Sequence, residues 1–233
     1  MNYTKIIKDE LRKNYRNKII YASEVYNKVF SKKYISIASF YQTIERMYKN
    51  KELKKLSKGV YYYNKENDFG EIPVSNDEIF NRYTSNNKGM IIGYRLYTDL
   101  KLTTQVSKKI SIYTSSLKGQ TKNIRNIELK RVGLKFTNEI VKNIQILEVL
   151  ENFETIEDLN LYSFYNYAKE YVDSYNEIAL KKVLEVMKYK KSTISFLRNI
   201  LVYFNAKHSI DNYLSSFSKY KHKTMKEIYE FIQ

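Results

Sequence analysis

The sequence predicts an α+β chain, mainly helical, with a basic N-terminal module, a small α/β module and a helical C-terminal bundle. Three observations predict it. Residues 36–63, SIASFYQTIERMYKNKELKKLSKGVYYY, read as a helix, a bend and a two-stranded ribbon. Residues 64–77, NKENDFGEIPVSND, hold the only proline and a run of turn formers that interrupts the pattern. The last hundred residues carry successive apolar stripes at three-to-four spacing.

The first module starts with a helix over 3–14, with Ile6, Ile7 and Leu11 on one side. Lys18-Ile19-Ile20 is a short strand leading into a second helix, capped by Ser23 and carrying Val25, Val29 and Phe30. In the next helix, 37–49, Ser36 is the N-cap and Ile37, Tyr41, Ile44 and Met47/Tyr48 form the expected buried face. The opposite face then carries Ser39, Gln42, Thr43 and Arg46, side chains able to reach base edges and phosphates. Leu53 and Leu56 sit among lysines, Lys58-Gly59 is a turn, and Val60–Tyr63 is β-prone. A polar helix face followed at once by a basic hairpin with a glycine tip is the layout of a winged helix-turn-helix. The expected DNA contacts are Ser39, Gln42, Thr43 and Arg46 on the helix, Ser36 at its N-terminus, and Lys54, Lys55 and Lys58 on the wing.

The break at 64–77, around Pro73, is the expected hinge between a DNA-binding domain over 1–66 and a second domain over 67–233. In the α/β part, 77–136, helices are expected at 77–83 and 94–100, with Met90-Ile91-Ile92 as an entry strand. Further strands are expected at 109–114, 124–129 and 131–136, with 118–123 as a polar turn. The helical part, 137–233, should hold helices at 138–151, 161–172, 176–188 and 192–205, then short ones near 210–217 and 223–232.

Charge gives the first functional clue. Residues 1–63 hold 15 Lys/Arg against 5 Asp/Glu, a net +10 of the chain's +16; the other 170 residues contribute +6. Abundant Lys, Asn, Ile and Tyr would arise from an AT-rich genome, but such a bias does not concentrate charge in one module. The concentration points to duplex DNA as a partner. The absence of cysteine excludes disulfides and thiolate chemistry and fits a reducing cytoplasm. The charged N-terminus lacks the apolar core of a signal peptide, and no apolar run is long enough for a bilayer, so a cytoplasmic protein is expected.

Enzyme signatures are weak. His208 and His222 lie in a lysine-rich tail, without acids at metal-ligand spacing, and read as solvated surface residues. Six glycines form no phosphate-cradling loop, and there is no nucleophile elbow. Glu128-Leu129-Lys130 with Asp99 imitates the acid-x-lysine pattern of metal-dependent nucleases, but alternation puts Glu128 and Lys130 on an ordinary polar strand face. No catalytic residue, metal or cofactor is expected. Tyrosines 162, 165, 167, 171 and 175 follow helix stripes, with a subset available as a protein-binding surface.

From KKLSKGVYYY followed by DFGEIPVS, a family resemblance emerges. The wing Lys58-Gly59-Val60-Tyr61-Tyr62 precedes Phe69-Gly70 and Pro73-Val74-Ser75. Ile92-Gly93-Tyr94 opens a helix, Leu102-Thr103-Thr104-Gln105-Val106 follows it, and a strand ends at Tyr113-Thr114. Over about residues 40–135 this resembles the AbiEi-type antitoxins of type IV toxin–antitoxin and abortive-infection (phage defence) systems. The resemblance implies an N-terminal winged helix that represses its own operon at promoter inverted repeats. It also implies a C-terminal part that counteracts a nucleotidyltransferase-like toxin, by function or by contact. It supplies no catalytic residues. A stand-alone winged-helix transcriptional regulator with a ligand-sensing or dimerising C-terminal domain is the alternative, and monomer and dimer both remain open.

Overall fold

The computed structural model describes residues 2–16, 18–63, 66–67, 70–71, 75–215 and 218–233, with the backbone alone for 66, 67 and 71. The fold is α+β and mainly helical. It divides into two compact units, Met1–Asn81 with Asn123–Arg125, and Arg82–Lys122 with Asn126–Gln233. Pro73 and most of the expected hinge, with Phe69 and Val74, lie outside the described residues.

In the first unit α1 (Tyr3–Tyr15) is capped by Asn2, whose side chain accepts from the Lys5 amide, and buries Ile7 and Leu11. β1 (Ile20–Tyr21) runs straight into α2 (Ala22–Val25). Ser23 therefore lies inside the first turn, and Tyr21, not Ser23, occupies the cap position. The helix then widens into a π turn over Tyr26–Phe30 and tightens to a 3₁₀ turn over Ser31–Lys33, ending at Tyr34 with φ 55°. Val25 and Phe30 are both buried. Five residues apart, they share a face in a π turn but not in a continuous α-helix.

α3 (Ile37–Lys49) packs on α1 and is followed by β2 (Leu53–Ser57) and β3 (Val60–Tyr63). The three strands form an antiparallel sheet in the order β1-β3-β2, with Ile20 opposite Tyr61 and Lys54 opposite Tyr62. Gly59 takes φ 73° in the tight turn, a backbone region that side-chain-bearing residues avoid. The register slips by one residue between Lys55 and Ser57, a bulge that raises the local twist of the hairpin. Phe40 anchors the core, its ring centroid 5.0 Å from Phe30 and 5.5 Å from Tyr26. β4 (Glu66–Asn67) and β5 (Gly70–Glu71) pair antiparallel, and α4 (Asn76–Thr84) follows.

A mixed sheet follows in the order β6-β7-β9-β8, with β6 (Gly89–Ile92), β7 (Ile110–Thr114) and β9 (Ile127–Arg131) in the second unit, and β8 (Thr121–Ile124). β6 runs antiparallel and β9 parallel to β7. A Cβ on Gly89 would lie 2.2 Å from the Tyr113 carbonyl oxygen and 2.4 Å from that of Tyr83, so the packing needs glycine there. The expected strand 124–129 is two strands separated by a turn at Arg125, which takes φ 56°. The expected polar turn 118–123 contributes the start of β8, and 131–136 forms no strand beyond Arg131.

α5 (Tyr94–Asp99) follows β6, and the Leu-Thr-Thr-Gln segment after it is fastened by hydrogen bonds. The Thr103 hydroxyl donates to the Glu157 carbonyl (2.7 Å), the Gln105 amide donates to the Thr103 oxygen (3.1 Å), and the Asn160 amide donates to the Leu102 carbonyl (2.8 Å). α6 (Asn138–Glu151) is buried on several sides, packed by α7 (Leu161–Asp173), α8 (Glu177–Val186), α9 (Lys191–Tyr203) and β6. The region expected as helix near 210–217 holds a 3₁₀ turn, Ile210–Tyr213. α10 (Met225–Ile232) closes the chain behind a Thr224/Glu227 capping box. Among the described residues no helix is long and apolar enough to cross a membrane.

Candidate nucleic-acid interface

The candidate interface is α3 with the hairpin that follows it. The Ser36 hydroxyl accepts from the Ser39 amide (3.1 Å) and donates to the Ser39 hydroxyl (2.8 Å), fixing the first turn. The Phe40 amide donates to the Ser36 carbonyl. The amides of Ile37 and Ala38 begin the helix ahead of these bonds and supply the positive end of its dipole.

The buried face of α3 matches the expected one at Ile44 and Met47 but not at Ile37, Tyr41 and Tyr48. Phe40, Thr43, Ile44 and Met47 face the core, whereas Ile37 is 54% exposed, Tyr41 36% and Tyr48 39%. At 100° per residue the core face centres between Phe40 and Met47. Ile37, Tyr41 and Tyr48 form a separate apolar flank beside it. Both stripes fit a three-to-four spacing; the aromatic cluster of Tyr26, Phe30 and Phe40 decides which turns inward. Thr43 is consequently only 2% exposed, and its hydroxyl donates to the Ser39 carbonyl (2.8 Å). It is a core residue and leaves the set of candidate contacts.

The other predicted positions hold a common outward side. Gln42 and Arg46 are exposed, Ser39 is half-buried next to them, and Lys49 continues the row. Glu45, which the sequence pattern did not single out, shares this face and brings one negative charge to it. On the hairpin Lys55 and Lys58 are exposed and Lys54 is half-buried. The Lys55 ammonium lies 5.8 Å from the Tyr48 ring centroid, and the Tyr48 and Tyr61 rings are 6.4 Å apart. A cation–π contact and an aromatic pair thus tie the end of the helix to the ribbon. Tyr34, 94% exposed in a left-handed conformation, precedes the helix. Periodicity alone could not assign these exposed aromatics to the surface, because they mimic a core stripe.

The remaining candidates carry no second site. Glu128 and Lys130 alternate with the buried Ile127 and Leu129, and the Glu128 carboxylate pairs with Lys109 (3.2 Å) and Lys130 (3.4 Å). Asp99 pairs instead with Arg95 along α5 (3.2 Å). No cluster of three metal-ligating side chains occurs among the described residues. The histidines are not solvated surface groups. His222 stacks on Phe196, centroids 5.0 Å apart, with its ring nitrogens at the Ser195 hydroxyl and the Lys223 carbonyl. His208 has its Nδ1 buried, without a hydrogen-bond partner among the described residues and 3.8 Å from an Asp211 carboxylate oxygen. Both are drawn in by packing that a lysine-rich neighbourhood conceals. Of the tyrosine stripe, Tyr162 is exposed and Tyr171 is buried, its hydroxyl donating to Asn143 (2.7 Å).

No protein-family model matches this sequence, and no significant match was found among curated proteins. The functional reading therefore stands on the residues themselves.

Proposed function

We propose that the first 63 residues are a winged helix-turn-helix that binds duplex DNA. One observation carries the reading: an N-capped helix with an exposed row of Ser39, Gln42, Arg46 and Lys49 is followed directly by a hairpin presenting Lys55 and Lys58, in a segment of net charge +10. In this reading α3 enters the major groove, with Gln42 and Arg46 at base edges. The free amides at the helix N-terminus, positioned by the Ser36 cap, meet a backbone phosphate. Lys55 and Lys58, with Lys54 behind them, hold the flanking backbone or minor groove. Glu45 opposes close phosphate approach at the helix centre and so favours a pose in which that part of the helix faces bases.

We further propose that the chain is a cytoplasmic antitoxin and autorepressor, with its C-terminal part a helical bundle that counteracts a nucleotidyltransferase-like toxin. The support is the resemblance over residues 40–135. The fastened Leu102–Gln105 segment makes part of that pattern architectural: its hydroxyl and amide groups are spent on internal hydrogen bonds. No catalytic role is proposed. One observation favours a ligand-sensing regulator as the second reading: a cavity of about 630 Å³ in the second unit, lined by Leu161, His222, Ile228 and Phe231 among others.

The test is DNA binding by the full chain to the segment upstream of its own gene. Arg46→Ala should weaken binding by about 1–3 kcal/mol if Arg46 reads a base, and Lys58→Ala should flatten the log–log salt slope by about one. Wild-type affinity and slope in both variants would exclude this interface.

A further inference from the structure

The first unit contains a cavity of about 290 Å³ lined by Arg12, Arg16, Glu52 and Tyr63. Arg12 and Arg16 lie one turn apart at the C-terminal end of α1, Glu52 follows α3, and Tyr63 is the last residue of β3. The Tyr63 side chain is 8% exposed, and its hydroxyl is buried without a hydrogen-bond partner among the described residues. That is a costly state for a group that donates and accepts.

The charges around this hydroxyl are already sorted. Burial pushes the Glu52 carboxyl up, but hydrogen bonds from Lys8 (2.6 Å) and Arg12 (3.0 Å) outweigh it and hold the carboxyl below its ordinary range. Glu52 is thus committed to Lys8 and Arg12 and fixes the Arg12 guanidinium, whereas among the described residues no acid pairs with Arg16. Two cations pair with this carboxylate, and Arg16 lines the same cavity. Burial raises the Tyr63 hydroxyl to about 12, so it remains an O–H donor at neutral pH, and Arg12, Glu52 and Arg16 all act on it electrostatically. Cations at a helix C-terminus also complement its dipole, which accounts for the two arginines. It does not account for an orphaned tyrosine hydroxyl between them.

We propose that this cavity is a phosphate site, in which Arg16 and the outer edge of Arg12 donate to phosphate oxygens and Tyr63 supplies a third donor from the floor. Planar guanidiniums match a tetrahedral oxyanion with paired donors, and a hydroxyl adds a short charge-assisted bond. At this size the cavity suits a phosphate or diphosphate rather than a whole nucleotide. Glu52 lies past the C-terminal end of a 13-residue helix, about 20 Å along its axis from Ser36. The site is therefore separate from the first turn of α3. The phosphate group belongs either to a small ligand or to DNA backbone, and the site does not depend on the groove assignment.

Titration of the full chain with inorganic phosphate and with pyrophosphate, at matched low ionic strength against chloride, tests it by calorimetry and thermal shift. Saturable binding is expected, weakened at least fivefold by Arg16→Gln and by Tyr63→Phe and less than twofold by Lys28→Gln, an exposed charge elsewhere in the unit. Tyr63→Phe removes an unsatisfied hydroxyl, so without phosphate it should melt no lower than wild type while losing the phosphate-induced rise. No saturable binding, equal weakening by Lys28→Gln, or wild-type affinity in Tyr63→Phe would overturn the site. In a duplex-binding assay, competition by phosphate beyond the chloride control assigns the site to backbone phosphate. Its absence, with saturable phosphate binding intact, assigns it to a free ligand.

Discussion

Two residues one helical turn apart, Thr43 and Arg46, separate the contributions of α3 to stability and to recognition. Thr43 is buried with its hydroxyl on the Ser39 carbonyl, whereas Arg46 is exposed beside Gln42. Thr43→Val keeps the volume and loses one internal hydrogen bond, worth about 0.5–1.5 kcal/mol. It should lower the melting temperature modestly and leave DNA affinity unchanged. Arg46→Ala should do the reverse, because an exposed arginine contributes little to folding; chemical denaturation beside fluorescence anisotropy separates the two. Glu148 is buried in the second unit, with its Oε1 accepting from the Tyr113 (3.1 Å) and Tyr189 (3.2 Å) hydroxyls. Burial raises its carboxyl pKa, helped by nearby Glu151, and this outweighs the opposite pull of the two hydroxyls and Lys130. A carboxyl raised in the folded state favours folding below its unfolded pKa, and that contribution is lost as pH rises through the folded value. The stability of Glu148→Gln relative to wild type should therefore increase from pH 4 to pH 8, whatever its pH-independent offset. A flat difference would show that the carboxylate is not desolvated.

Elements were legible where capping and long periodicity agree, and less so where a turn lacks its usual residues. Helices 37–49 and 138–151 have the expected bounds, since Ser36 caps the first and an unbroken apolar pattern defines the second. The face of helix 37–49 was legible only in part: Ile44 and Met47 were expected inside and are buried, but Ile37, Tyr41 and Tyr48 repeat at the same interval as Phe40, Ile44 and Met47. Only tertiary packing of Phe40 on Phe30 distinguishes them. The β8–β9 turn escaped notice because Arg125 and Asn126 stand where a hairpin ordinarily places Asn-Gly. The π turn at Tyr26–Phe30 likewise leaves no compositional trace. At this scale Gly89 is the sharpest element-breaking position. A methyl at 2.2 Å from a backbone oxygen cannot be relieved by a rotamer, so Gly89→Ala should cost roughly 2–3 kcal/mol or more and disturb the β6–β7 pairing. A denaturation midpoint within error of wild type would contradict the strand geometry.

On the whole-molecule scale, the candidate DNA contacts belong to the first compact unit, and most of the chain's apolar core belongs to the second. Charge made the first legible in sequence. The second offers little chemistry to read: its conspicuous groups, Glu128, Thr103, Glu148 and His222, are engaged in ion pairs or internal hydrogen bonds. If the antitoxin proposal holds, residues 70–233 should still rescue cells from a nucleotidyltransferase-like toxin encoded beside this gene, with DNA binding lost; failure of that fragment, when stably folded, to rescue would contradict it. Duplex binding by the first unit underlies both proposals. Binding of the full chain to its upstream duplex, followed across a salt series for wild type, Arg46→Ala and Lys58→Ala, tests it most directly. A specific complex is expected, with affinity that falls steeply with salt, a loss of about 1–3 kcal/mol for Arg46→Ala, and a shallower slope for Lys58→Ala. A chain that does not prefer its upstream duplex over unrelated DNA, or whose affinity and slope both variants leave unchanged, would contradict it.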